Sequence, residues 1–167
     1  MWRRLLVSTL VAVGTLHGTS FAQAPTLMIP NVTTRYVVAR AIDGAKRLLE
    51  APRCQGLLDE YTDATGATLR ASLNQANVTP AEFLERLRYV DGNESPQCRR
   101  TNSLAAFTIP GNRVIFICGL TFDVQLRERM RAAQMIIIHE MLHAAGLGEN
   151  PPTSRDITAR VTKRCGA

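Results

Sequence analysis

The sequence predicts a small α+β domain, mainly helical, with a short β-hairpin or small sheet and one deeply buried helix. Three observations carry this. Apolar residues recur at three-and-four spacing over residues 33–49, the period of a helix with one face on a core. Two branched apolar runs, "LAAFTI" and "RVIFIC", flank Pro110-Gly111-Asn112 and read as a hairpin about a tight turn. Residues 132–145 are apolar nearly all round, the mark of a helix enclosed by protein.

The first 24 residues, "MWRRLLVSTLVAVGTLHGTSFAQA", read as an export signal. A basic start (Arg3, Arg4) precedes an apolar stretch to about Leu16, and Ala22-Gln23-Ala24 offers the small residues at which such a signal is cut. The stretch is too short and too polar for a membrane span, which takes about 20 apolar residues. Residues 25–167 are then expected as one domain, exported to the periplasm or the medium, without a membrane anchor.

Residues 25–32, with two prolines, read as an extended leader. A helix is expected from Thr33 or Thr34 to Leu49, stopped by Pro52, and a shorter one over "CQGLLDEYTD" that ends before Gly66. Residues 67–75 are ambiguous between helix and strand. Thr79-Pro80-Ala81-Glu82 is a capping-box start for a helix over about 80–90. A polar loop over 92–103 leads to the hairpin of 104–118. A long helix over about 124–145, capped by Asp123, ends at Gly146, and Ser154 caps a last helix to about Lys163.

Composition excludes more than it names. Removing Arg3 and Arg4 takes the net charge from +6 to +4, and the remaining basic residues are scattered. Aromatics are few and no basic tract is interleaved with them, so nucleic acid is not an expected partner. The four cysteines, Cys54, Cys98, Cys118 and Cys165, fit two disulfides in an exported chain. Three pairings are open, and Cys54–Cys98 with Cys118–Cys165 is the expected one. Two glycosylation sequons, at Asn31 and Asn77, are idle behind a bacterial-type export signal.

The chemistry lies in "IIIHEMLHAAGLGEN". His139 and His143 are the only histidines after residue 24, and they stand four apart with Glu140 between. Chance alone places two histidines and a glutamate so in roughly one chain per thousand of this kind. On a helix both imidazoles share one face and can reach a single ion, with Glu140 beside it. Satisfied core histidines are the bland alternative, but the motif has no Lys or Arg to pair the carboxylate, and burial of unpaired polar groups costs several kcal/mol. Zinc suits two imidazoles. The third ligand is expected at Glu149, with Asp156 as the alternative.

His139-Glu140-x-x-His143-x-x-Gly146-x-x-Glu149 resembles the zincin metallopeptidases, and its tail resembles the metzincin pattern. There a glycine turns the chain to deliver a third ligand three residues on, normally His or Asp; here it is Glu149, and no methionine follows Met141 to form that family's methionine turn. "RVIFICGLTF" before the motif helix is similar to the aspzincins, in which a downstream aspartate is the third ligand, although their GTxDxxYG segment is lacking. Together these likenesses cover about residues 104–157. They imply a zincin-like domain, zinc as cofactor, Glu140 as general base, and 113–118 as a free edge strand for a peptide or protein substrate. No particular one of Tyr36, Tyr61 and Tyr89 is singled out to assist the reaction. The expected function is an exported zinc metallopeptidase, a monomer; the alternative is an exported, disulfide-stabilised metal-binding or interaction module without catalytic activity.

Overall fold

The computed structural model describes residues 24–126 and 129–166. Residues 1–23 lie outside them, and with them nearly all of the expected export signal. The chain runs β1 (Thr26–Met28), α1 (Val32–Leu49), α2 (Pro52–Gln55), α3 (Leu57–Glu60), α4 (Leu69–Gln75), α5 (Pro80–Glu85) and β2 (Arg88–Asp91). Then follow α6 (Pro96–Arg100), β3 (Ala106–Thr108), β4 (Val114–Ile117), α7 (Gly119–Leu126), α8 (Met130–Ala144) and α9 (Ser154–Cys165). It is a small α+β domain: one four-stranded sheet, ordered β1-β2-β4-β3, with helices packed on it and on each other.

α1 forms as its periodicity requires, one residue earlier than expected because Asn31 caps it by accepting from the Thr34 N–H at 3.0 Å. Val37, Val38, Ala41, Ile42, Ala45 and Leu49 are buried along its inner face. Gly44 lets α1 approach α8 closely, since a methyl group there would collide with the Gln134 side chain. α8 is packed by α1, by α9 and by β3 and β4, which accounts for its apolar residues on every side. Ile137, Ile138, Met141 and Leu142 have no exposed surface.

Several expectations are corrected. The helix over 80–90 stops at Glu85, and 88–91 becomes β2, with Tyr89 fully buried and its hydroxyl donating to the Leu84 carbonyl at 3.1 Å. β2 pairs in parallel with both β1 and β4, so its partners are remote in sequence and left no local signature. The extended leader is itself docked as β1. Residues 113–118 are not a free edge: β4 is paired on one side by β2 and on the other, antiparallel, by β3. β1 and β3 are the edges.

The expected single helix over 124–145 is two, because Arg129, at φ −111° and ψ 55°, is not helical. Asp123 sits within α7 rather than capping α8 and accepts from the Thr34 hydroxyl at 2.5 Å, tying α7 to α1. Thr153, not Ser154, caps α9, in a capping box with Asp156. The ambiguous 67–75 stretch is helical as α4, the polar loop holds α6, and Pro52 opens α2 as well as ending α1.

The disulfide pairing differs too. Cys54 joins Cys165 and Cys98 joins Cys118, with Cα–Cα distances of 4.6 and 5.3 Å. α2 packs against α9, which brings the first pair together. β2 and β4 run in parallel, so their C-terminal ends lie side by side, with Cys98 just beyond one and Cys118 just beyond the other. The second proximity is not visible without β2, and the first rests on helices from opposite ends of the chain. Among the described residues no helix is long and apolar enough to cross a membrane.

In the chain-entropy account, loops spanning 111 and 20 residues stabilise by about 5 and about 3 kcal/mol respectively. Replacing Cys54 and Cys165 together by Ala is therefore expected to lower the urea midpoint more than replacing Cys98 and Cys118. Peptide mapping without reduction should recover Cys54 linked to Cys165; a peptide joining Cys54 to Cys98 would refute this connectivity.

Candidate metal centre

His139 and His143 lie one turn apart near the end of α8, 5% and 4% exposed, with ring centroids 4.9 Å apart. Their Nε2 atoms are 3.1 Å from each other. Two nitrogens each about 2.0–2.1 Å from one tetrahedral ion stand about 3.3 Å apart, so the pair already has nearly the spacing of a shared cation. Glu149 Oε1 is 3.6 Å from His143 Nε2, and one ligand atom from each of the three residues falls within 4.8 Å of the others.

The chain after α8 is shaped to bring Glu149 there. Gly146 takes φ +113° and donates to the His143 carbonyl at 2.9 Å, while the Leu147 N–H donates to the Leu142 carbonyl at 3.0 Å. These two bonds make a Schellman turn, with Leu142 and Leu147 both buried. The turn aims the Leu147 carbonyl back at the helix, where His143 Nδ1 donates to it at 2.8 Å. The hairpin turn docks on the same helix end, the Gly111 N–H donating to the His143 carbonyl at 2.9 Å. Asn150, at φ 62°, then turns the chain, and its N–H donates to the Pro152 carbonyl at 2.8 Å. Asp156 is not brought to the histidines. It accepts from the Thr153 hydroxyl at 2.6 Å and its N–H in the α9 cap, bonds that lower its pKa.

Because a carbonyl only accepts, His143 carries its proton on Nδ1 and offers the lone pair of Nε2. His139 Nδ1 faces the Thr158 hydroxyl at 3.0 Å, which can donate or accept. Without a cation, His139 Nε2–H donates to His143 Nε2 and Thr158 donates to Nδ1. Beside a bound cation both Nε2 atoms would offer lone pairs, and the Thr158 hydroxyl would accept from Nδ1. Burial, and then the nearby His143, lower the pKa of His139 to about 4, keeping it neutral as a ligand must be.

Glu140 is the misfit that a satisfied histidine pair leaves unexplained. It is 5% exposed, and Oε2 is buried with no hydrogen-bond partner, as is the Thr108 hydroxyl oxygen. Among the described residues no Lys or Arg pairs with it. Burial is the main cause that pushes its pKa up to about 8, and the Glu149 charge adds to it. An uncompensated carboxyl beside two imidazoles and a second carboxylate is a donor set that a divalent cation completes. The residues present therefore fit zinc.

Thr158 and Thr108 escaped the reading of the sequence. A threonine in an amphipathic helix gives no sign of its partner, and only strand alternation, which puts Thr108 on the buried face of Ala106, hinted at the other. None of the three tyrosines is shown to serve the site: Tyr36 is exposed, Tyr89 is spent on Leu84, and Tyr61 packs against the core beside Arg160. A cleft of about 560 Å³ opens beside the turn, lined by Tyr61, Pro110, Leu147, Gly148 and Pro151 among others. No family model, curated protein or solved structure matches the chain.

Asp63 buttresses this turn: a Cβ at Gly146 would lie 2.9 Å from the Asp63 Cβ. Gly146→Ala meets both that contact and an unfavourable φ, and is expected to cost about 1–3 kcal/mol in chemical denaturation. The carboxylate of Asp63 accepts from the Thr65 and Ser72 hydroxyls and the Thr65 and Ala67 N–H groups, which hold its pKa down at about 2. A depressed carboxylate stabilises fully above its unfolded pKa, so this contribution should fade as pH falls from about 4 through about 2. Asp63→Asn should remove that part of the acid dependence; an unchanged profile would show that the bonds do not persist in solution.

Proposed function

We propose that this chain is an exported zinc-dependent metallopeptidase of zincin type, hydrolysing peptide bonds in a peptide or protein substrate. The observation that carries the reading is the buried, unpartnered carboxyl of Glu140 directly beside three converging ligand atoms. His139, His143 and Glu149 would hold the ion. Zinc at such a centre supplies a Lewis acid for the scissile carbonyl and lowers the pKa of the attacking water. Glu140, kept from ionising by burial, would be ionised beside a bound cation. Glu140 then takes the proton from the attacking water and passes it to the leaving amine. His139 and His143 stay fixed on α8, and the enclosing helix and hairpin keep bulk water from the carboxylate. Support for export comes from the leading 24 residues and from two disulfides, which suit an oxidising compartment.

A second reading has its own observation. The histidines can satisfy each other through one shared proton, so the site holds together without turnover, as an exported metal-binding or interaction module. Glu140 separates the two. In the peptidase reading Glu140→Gln keeps about one zinc per chain and lowers hydrolysis of a denatured protein substrate by about 10²–10⁴-fold, whereas His143→Ala loses zinc. Metal content by atomic spectroscopy and cleavage by mass spectrometry decide it. Zinc with no cleavage by the parent protein supports a metal-binding module; no zinc in the correctly oxidised parent ends the peptidase reading and leaves an interaction module.

A further inference from the structure

The two imidazoles are held by unlike partners. That of His143 is a main-chain carbonyl delivered by the Schellman turn, which no side-chain change removes. That of His139 is a side chain from another helix, the Thr158 hydroxyl, and among the described residues Nδ1 has no other bond. We propose that Thr158 is a positioning residue for the metal centre, fixing the ring orientation of His139 so that Nε2 faces the ion. The proposal rests on the zinc-site reading given above.

The geometry around Thr158 suits that task. α9 is fixed at both ends: Thr153 and Asp156 cap its start, and Cys165 is bonded to Cys54 at its close. Between them Ile157 and Val161 are buried in the core, and Arg160 pairs with Glu60 on α3 at 3.3 Å. The hydroxyl is thus held in place relative to α8 from both directions.

A hydroxyl also fits the chemistry better than a carbonyl or an amine would. Before metal enters, the proton shared between the two Nε2 atoms obliges Nδ1 to accept, and Thr158 donates. Afterwards Nδ1 carries the proton and Thr158 accepts it. Rotation about one C–O bond serves both states, and the imidazole does not move. The second state is the stronger bond, because an imidazole bound to a cation is a better donor. Loss of the hydroxyl therefore weakens metal binding rather than only loosening the fold.

Zn²⁺ titrations against a chromophoric chelator test this on the full, oxidised chain, comparing the parent with Thr158→Val and Thr158→Ser. Val keeps the shape and lacks the hydroxyl; Ser keeps the hydroxyl. Thr158→Val is expected to bind zinc about 10–100-fold more weakly, with Thr158→Ser within about threefold of the parent, the usual scale for such outer partners. The urea midpoint of metal-free Thr158→Val should fall, because buried Nδ1 loses its donor, while that of Thr158→Ser should stay at the parent value. Parent-like affinity in Thr158→Val, or equal weakening in Thr158→Ser, overturns the positioning role while leaving the zinc site standing. Absence of zinc in the parent overturns both. Imidazole ¹H–¹⁵N spectra of the zinc-loaded parent give a reading that needs no variant: His139 must carry its proton on Nδ1, and coordination through Nδ1 refutes the proposal.

Discussion

The molecule is arranged about one conflict, a helix buried on every side that must also enclose two imidazoles and a carboxyl. α8 gains its place by apolar contact with α1, α9, β3 and β4. Each polar group taken into that setting without a partner costs about 1–3 kcal/mol or more. The surroundings therefore read as a set of remedies. The turn at Gly146 returns a carbonyl to His143, and α9 brings Thr158 to His139. Glu140 alone receives no full remedy within the chain. Its orphaned oxygen, with the unpartnered Thr108 hydroxyl of β3, leaves a polar gap beside the two imidazoles that hydrogen bonding within the chain does not close.

The sequence made the motif legible because its signal is local. Residues 139, 143, 146 and 149 lie on one helix and the turn after it, and helical period with glycine punctuation specifies their relation. The same is true of α1, of the hairpin about Pro110-Gly111-Asn112 and of the capping box at Thr79. What stayed hidden depends on partners far along the chain. β2 looked like the tail of a helix because its parallel neighbours begin 62 residues before it and 26 after, at Thr26 and Val114. Missing β2 led directly to two further errors. It left β4 with a false free edge, and it hid the neighbouring strand ends that join Cys98 to Cys118. The division at Arg129 had no glycine or proline to announce it.

That central position of β4 also bears on how a substrate would be met. A strand with both edges paired has no backbone groups left to offer a peptide. β3 is the edge that packs against the motif helix, and it carries Thr108, whose hydroxyl is buried and unpartnered near Glu140. The edge-strand expectation for 113–118 is thus overturned: among the described strands the free edge on that side of the sheet is β3, one strand away.

Rigidity is shared unequally among the three ligand candidates, and this has a physical consequence. His139 and His143 are fixed by α8 and are almost wholly buried, whereas the side chain of Glu149 lies on the following loop and keeps 40% of its surface exposed. Two neutral imidazoles are cheap to hold in a dry site, while a carboxylate held there alone is expensive. Glu149 at the rim stays hydrated, as a ligand awaiting an ion would need to, and the burial cost falls on Glu140. A proton between the two Nε2 atoms fills the same space meanwhile. In the metal-site reading only one proton would have to leave for an ion to enter, because the hydroxyl of Thr158 can reverse its role and the chain after Gly146 already holds Glu149 within reach.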